Sequence, residues 1–144
     1  MVAPAGTTDV YVAKLAGDGT YITHKKGNAA AMTGCVGTSV AADDAGNVTV
    51  FGSFSGSIDF GAQPATSTPM GYDTFLVKLK ADDWTPVWTK PFGKGGHQYG
   101  WGLTVAGDGS SVAVGAFYTE LEVPPNMATM STGGSDIFVV SSMP

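Results

Sequence analysis

Apolar and polar residues alternate over short stretches of this chain, and glycine, asparagine or aspartate separates one stretch from the next. Such alternation is typical of β-strands that bury one face. It predicts strands near 9–15, 20–26, 36–42, 47–54, 73–79, 86–92, 99–106 and 111–118. No stretch has helical spacing of apolar residues over ten or more positions, so the pattern predicts an all-β protein with almost no helix.

The strand pattern repeats at a spacing of about 63 residues. Asp73 follows Asp9 by 64 residues and Asp136 follows Asp73 by 63, and each aspartate opens a similar strand. Other pairs at an offset of 63 are Gly46 and Gly109, Gly52 and Gly115, Phe54 and Phe117, and Phe60 and Val123. Self-similarity at a fixed period marks a repeat architecture. The predicted units are 1–72, 73–135 and the first strand of a third unit, 136–144.

Each full unit is predicted to be a four-stranded antiparallel meander, with the first four strands in one sheet and the next four in another. The strand at 99–105 suggests how the sheets stack. Tyr99, Trp101, Leu103 and Val105 share one predicted face, and glycines and a threonine occupy the other. Large residues facing small ones let sheets stack with both faces covered. Radial stacking of such meanders is a β-propeller, which is the predicted fold class.

The order of the motifs resembles the SBBP-type β-propeller repeat. The similar segments are the Asp-x-Phe-x-x-Lys-Leu string at 73–79, the tryptophan-bearing strand at 88–90, the turn and strand at 43–54, and Ile-Asp-Phe-Gly at 58–61. Copy one departs from the family at Ile22, where tryptophan is usual, and copy two at Gly109-Ser110, where Gly-Asn is usual. The resemblance implies a secreted or surface-associated propeller, often within a large protein, and implies no shared catalytic residues.

Two copies and one further strand are too few to close a ring of four to eight blades. Two explanations are open. The chain is part of a longer propeller, or several protomers complete the ring by symmetric assembly. Because nine strands leave one over from a pair of four-stranded blades, we expect a partial propeller whose partners are other blades of the same polypeptide or neighbouring protein chains.

Composition and charge exclude several classes of function. Twenty-one glycines, 43% hydrophobic residues and 13% charged residues fit a globular protein of short strands and turns. A net charge of −5 gives no basic surface for nucleic acid. No apolar run is long enough to predict membrane insertion. The single cysteine, Cys35, is expected to be a small buried thiol, with an intermolecular disulfide as the alternative.

Aromatic side chains are the first candidates for a binding site. We expect Trp88, Tyr99 and Trp101 to lie in the core. Trp84 follows two aspartates in a turn and is expected to be an exposed ring, so Trp84 and His97 are the residues that would contact a glycan. Asn47-Val48-Thr49 is an N-glycosylation sequon at a predicted hairpin tip, which makes Asn47 a glycan acceptor if the chain enters a eukaryotic secretory route.

Other candidate sites have simpler structural explanations. The pairs Asp43-Asp44 and Asp82-Asp83 lack EF-hand spacing and are expected to be solvated turn residues. The glycine-rich loop at 93–97 lacks a Walker pattern and a following helix. Asp59 and Glu122, which occupy equivalent positions in the two copies, are the one carboxylate pair that a glycosidase could use. We expect no enzyme activity, no cofactor and no metal site.

The function predicted from the sequence is a non-catalytic structural or protein-interaction propeller module of an extracellular or cell-surface assembly. The alternative is a glycan-binding propeller. A lectin would repeat an exposed aromatic ring in each blade, whereas Trp84 has no aromatic counterpart near Asp18 in copy one.

Overall fold

The computed structural model describes residues 6–30, 34–125 and 127–144. Within these ranges the chain forms strands and no helix, which confirms the all-β prediction. The strands are β1 (Val10–Leu15), β2 (Tyr21–Ala29), β3 (Cys35–Ala42), β4 (Val48–Phe54), β5 (Ser57–Asp59), β6 (Ala65–Thr66), β7 (Asp73–Leu79), β8 (Pro86–Phe92), β9 (Gln98–Val105), β10 (Ser111–Phe117), β11 (Glu120–Val123), β12 (Met127–Met130) and β13 (Asp136–Ser142). In the described part, no helix is long and apolar enough to cross a membrane.

Three main sheets and a separate hairpin contain these strands. The first sheet has the order β1-β2-β5-β6, the middle sheet β3-β4-β7-β8 and the last sheet β13-β10-β9, while β11 and β12 pair with each other. Every pairing between the strands is antiparallel. The middle sheet is a complete four-stranded meander of the kind that the sequence predicts.

The predicted assignment of strands to sheets is wrong. Strand β4 pairs along its whole length with β7, from Val48 opposite Leu79 to Phe54 opposite Asp73. The middle sheet therefore joins the last two long strands of copy one to the first two of copy two, and the sequence copies are out of phase with the sheets. Strand β13 pairs with β10 in the same way, as the third strand of the last sheet.

The segments that connect β4 to β7 and β10 to β13 each contain a short hairpin. Strands β5 and β6 pair with each other, and β5 also pairs with the end of β2 through Asn28 and Ala29. The hairpin therefore extends the first sheet, although the strands before and after it in the chain, β4 and β7, belong to the middle sheet. The equivalent hairpin β11–β12 lies beside β8, where the backbone N–H of Gly93 donates to the Glu122 carbonyl at 3.1 Å.

Two apolar cores hold the three sheets together. The first lies between the first and middle sheets and includes Val10, Val50, Phe54, Ile58, Phe60, Phe75, Val77, Leu79 and Trp84. The second lies between the middle and last sheets and includes Phe51, Leu76, Phe92, Ala113, Phe117, Leu121, Phe138 and Val140. Residues of the middle sheet appear in both cores, so this sheet is covered on both faces. Phe54 and Phe117, which occupy the same place in the two copies, are both buried.

Glycines set how closely the middle and last sheets approach. The ring of Phe51 lies against the backbone of Gly100, where an added Cβ would come within 2.6 Å of the ring. The Gly100 N–H donates to Ser53 Oγ at 2.9 Å, and this hydrogen bond is buried. The small face of β9 that the sequence predicts therefore packs against a large side chain of the neighbouring sheet.

Candidate interaction surfaces

The outer faces of the first and last sheets expose apolar residues whose counterparts in the middle sheet are buried. Leu76 of β7 is fully buried because the last sheet covers it, whereas Val139, 63 residues further on, is 67% exposed. Phe75 is fully buried, whereas its counterpart Tyr11 is 60% exposed. Both pairs match an aliphatic with an aliphatic residue or an aromatic with an aromatic one, and the buried member of each pair is the one that a neighbouring sheet covers.

A groove of about 480 Å³ runs between the free edge of β1 and the face of β3. Its lining residues come from β1, β3 and β4: Val10, Tyr11, Val12, Ala13, Gly37, Thr38, Ser39, Val40 and Val50. Val40 is 58% exposed, although its counterpart Leu103 packs against the second core. The groove thus lies beside β1, at the place that counterparts of β3 and β4 would occupy in a complete sheet.

Four aromatic rings form a cluster at one end of β7, β9 and β10. Tyr72, His97 and Tyr99 have ring centroids 5.9 Å apart in each pairing, and Tyr118 meets Tyr99 edge-on at 6.2 Å. A bridge between the backbones of Tyr72 and His97 holds two of these residues together. His97, one of the two predicted glycan contacts, therefore belongs to an aromatic group.

A second groove of about 480 Å³ opens beside this cluster, between β3 and β9. Tyr72, Tyr99 and Trp101 supply its aromatic wall, and Thr38 and Ser53 supply hydroxyls. Trp101 is 56% exposed and Tyr99 is also exposed, so the prediction that both lie in the core is wrong. The reason is a β-bulge at Trp101, which has no partner in the register of β9 with β10 and so interrupts the alternation of faces.

The aromatic cluster is specific to copy two. Thr8 and Gly34 form the same backbone bridge in copy one as Tyr72 and His97 do in copy two. The counterparts of Tyr99, Trp101 and Tyr118 are Val36, Thr38 and Ser55. The backbone repeats and the rings do not, so the fold itself does not require these rings. This aromatic surface is therefore a candidate binding surface.

The expected exposure of Trp84 is also wrong. Trp84 is 3% exposed and belongs to the first core. Its φ of +57° turns the chain back on itself, and its N–H donates to the Lys80 carbonyl at 3.2 Å. Burial of this ring leaves it no open face for a sugar. The indole Nε1 has no hydrogen-bond partner in the part of the chain that the structure describes.

Trp88 is half-buried and packs against the edge of the second core, where it was expected to be a core residue. Lys90 Nζ lies 4.4 Å from the centroid of its ring and donates to Ser142 Oγ at 2.6 Å. Burial lowers the pKa of Lys90, and the neighbouring Lys78 lowers it further. These contacts tie β8 to β13 across the second core.

Asn47 braces the turn between β3 and β4. Its Nδ2 donates to both carboxylate oxygens of Asp43, at 2.9 and 3.2 Å, and its Oδ1 accepts from the N–H of Ala81 at 3.1 Å. A glycan on Nδ2 would replace one of these N–H groups. Occupancy of the sequon, which stays a prediction, would therefore compete with the folded turn.

The acidic turns have partners within the protein. Asp43 forms an ion pair with Lys78, and Asp83 accepts hydrogen bonds from the N–H and hydroxyl of Thr85 at 2.9 and 2.7 Å. Hydrogen bonds lower the pKa of both carboxyls. Within the described ranges, no three His, Cys, Asp or Glu side chains are grouped to hold a metal ion.

The remaining candidates from the sequence are held by local contacts. Lys94, in the glycine-rich loop, forms ion pairs with Glu120 and Glu122 at 3.2 and 3.1 Å. Asp59 accepts from the N–H of Gly61 at 2.6 Å. Asp59 and Glu122 therefore lie in different hairpins, each with its own partner. Cys35 is buried, and burial raises the pKa of its thiol to about 11.

No protein-family model matches the chain, and no curated protein matches it in sequence at a significant level.

Proposed function

We propose that this chain is a non-catalytic interaction module of propeller-type blades, in which the uncovered sheet faces contact neighbouring blades or protein chains. The observation that carries the proposal is the contrast between Leu76 and Val139, which occupy equivalent positions and are 0% and 67% exposed. Contiguous exposed apolar surface of several hundred Å² marks an interaction site on a soluble protein. The similarity to SBBP-type repeats supports an extracellular or cell-surface assembly.

At both ends of the sheet stack, exposed apolar residues are grouped on one face of a strand. On the last sheet, Ile137 and Val139 share the exposed face of β13. One edge of β13 is also unpaired in the described part of the chain. On the first sheet, Tyr11 and Leu15 are exposed in the same alternating way. An apolar face that ends in an open strand edge can add further strands or stack a further sheet.

Sedimentation velocity across micromolar concentrations tests this proposal. We expect concentration-dependent association of the wild-type chain, which the double variant Ile137→Ser, Val139→Ser reduces. The control is Val87→Ser, because Val87 is also exposed but lies on the outer strand of the complete middle sheet. A wild-type chain that stays a monodisperse, folded monomer would refute the proposal.

The groove between β3 and β9 favours glycan binding as a second candidate function. Trp101 is 56% exposed, and it lines the groove with Tyr99, Tyr72 and the exposed Thr38, whose side chain carries a hydroxyl. Aromatic faces stack on sugars, and adjacent hydroxyls can bond to sugar hydroxyls. A glycan array compares the wild type with Trp101→Ala. Binding that needs Trp101 supports this alternative, and an array without signal removes it.

A further inference from the structure

The free edge of β1 differs from the equivalent edges of β7 and β13. Among the described residues, β1 pairs only with β2, whereas β7 pairs with β4 and β13 pairs with β10. In the β4–β7 pair and in the β10–β13 pair, a glycine of the first strand stands opposite an aromatic residue of the second: Gly52 opposite Phe75, and Gly115 opposite Phe138. Tyr11 occupies the equivalent position in β1, and its ring lies instead against His24 with centroids 5.0 Å apart.

The face of β3 that borders the groove corresponds to a face of β9, and that face of β9 is covered by an aromatic ring of the middle sheet. Gly100 of β9 receives the Phe51 ring of the middle sheet, at 2.6 Å from an added Cβ. Gly37 of β3 is the equivalent glycine, and within the described ranges an added Cβ there would meet a methyl of Val10, at 3.3 Å, and no aromatic ring. Among these residues, none fills the space over Gly37 that the Phe51 ring fills over Gly100.

We infer that the groove between β1 and β3 binds a partner β-hairpin with the sequence pattern of the chain's own β3–β4. The second strand of this hairpin pairs antiparallel with β1. Its phenylalanine lies over Gly37, as Phe51 lies over Gly100, and the glycine that follows it stands opposite Tyr11, as Gly52 stands opposite Phe75. This inference rests on the proposed interaction role and specifies what occupies one of its surfaces.

Two separate features of the groove select this occupant. The unpaired edge of β1 requires an extended strand, since only a strand satisfies a row of backbone donors and acceptors. The glycine at 37 and the exposed ring at Tyr11 require a large side chain followed by a glycine, because adjacent residues of a strand face opposite sides of the sheet. The string Phe51-Gly52-Ser53 satisfies both requirements.

The probe is a synthetic peptide of residues 34–55 with Cys35→Ser, which carries β3, its turn and β4. We expect saturable 1:1 binding by calorimetry, and amide shifts in the NMR spectrum of the chain at Val10–Ala13 and Gly37–Val40. A peptide with Phe51→Ala should bind at least about tenfold more weakly, since it loses the apolar area of the ring.

The matched variants of the chain are Gly37→Ala and Gly102→Ala. Each added Cβ would meet one valine methyl, at 3.3 and 3.4 Å respectively, and neither glycine has a positive φ. Both variants should fold, as circular dichroism and thermal melts will show. We expect Gly37→Ala to weaken peptide binding about tenfold or more, because its Cβ occupies the position of the ring, and Gly102→Ala to bind as the wild type does.

Three results would overturn the inference. They are the absence of saturable binding, binding that Gly37→Ala leaves unchanged, and amide shifts at Ile137–Val139 in place of the groove. A chain that self-associates in sedimentation but does not bind the peptide refutes this occupant and leaves the proposed interaction role intact. Self-association that Gly37→Ala abolishes would identify a second copy as the occupant and refute the partner hairpin.

Discussion

Lys78 Nζ lies 3.2 Å from Asp43 Oδ2, and both side chains are almost fully removed from solvent. Asp43 also accepts from the backbone N–H of Asn47 at 2.8 Å. The turn between β9 and β10 closes over the pair, since a Cβ added to Gly109 would meet both Lys78 Nζ and Asp43 Oδ2 within 3.0 Å. The ion pair therefore lies between the middle and last sheets, and a glycine is needed to cover it.

Lys78→Met should destabilise the chain far more than Lys14→Met. The first change leaves the Asp43 carboxylate buried without its cation, and a buried charge that loses its partner is costly. Lys14 is the equivalent lysine of β1 and is exposed. Thermal melts at neutral pH compare the two variants, and equal losses would show that the ion pair does not stabilise the fold.

Acid should destabilise the fold partly through Asp43. Hydrogen bonds from Asn47 and the ion pair with Lys78 lower the pKa of Asp43 in the folded chain below its usual value near 3.8. The folded state then binds the proton less readily than the unfolded state. The stabilisation from Asp43 is therefore complete above pH 4 and is lost as the pH falls through the lowered pKa.

Asp73 should act in the opposite direction, because burial raises the pKa of its carboxyl. A raised pKa favours the protonated folded state, so ionisation of Asp73 weakens the fold as the pH rises above 3.8. Denaturant melts between pH 2.5 and 6 test both groups. The stability of Asp43→Asn relative to the wild type should fall as the pH rises, and that of Asp73→Asn should rise.

Phe117→Ala should cost about 3–5 kcal/mol of stability, the usual cost of deleting a buried aromatic side chain. Phe117 is buried in the second core, between the middle and last sheets. Ile137→Ala, on the open face of the same sheet, is the control and should cost far less. Urea melts give both values, and similar losses would mean that the second core does not form as described.

Gly100→Ala should destabilise the stacking of the middle and last sheets by about 1–3 kcal/mol, the usual effect of overpacking. Its Cβ would fall within 2.6 Å of the Phe51 ring, which is fully buried and has little room to move. Gly102→Ala, two residues along the same strand, meets a valine methyl at 3.4 Å and should be tolerated. Stability of Gly100→Ala equal to that of Gly102→Ala would contradict the close approach of the two sheets.

The sequence predicts the strands well and their grouping into sheets poorly. Alternation of polar and apolar residues depends on neighbouring positions, and it places every long strand within a few residues of its observed bounds. A repeat of 63 residues has the same period wherever its first residue is chosen, so the period cannot say which strands share a sheet. Strands β4 and β7 pair across an 18-residue connection, and loop closure costs little more for such a length than for a short turn.

The two errors at tryptophan have local causes. Trp84 follows Asp82 and Asp83, whose charges suggest a solvated turn, whereas its φ is +57° and its ring lies in the first core. Trp101 lies at a bulge, where the alternation of faces used for the prediction does not apply. The aromatic cluster at Tyr72 was not predicted from the sequence, although comparing Tyr72, His97 and Tyr118 with their non-aromatic counterparts in copy one would have revealed it.

The pairing of β4 with β7 also determines where the chain can be cut. A protease that cleaves between residues 60 and 72, at the border of the sequence copies, separates two strands that share a sheet but leaves the hydrogen bonds between them in place. The halves should therefore stay together after cleavage, as the fragments of a nicked protein do. Cleavage between β8 and β9 separates whole sheets, which then hold together only through side-chain packing and a few hydrogen bonds, and those fragments should come apart at lower denaturant concentration.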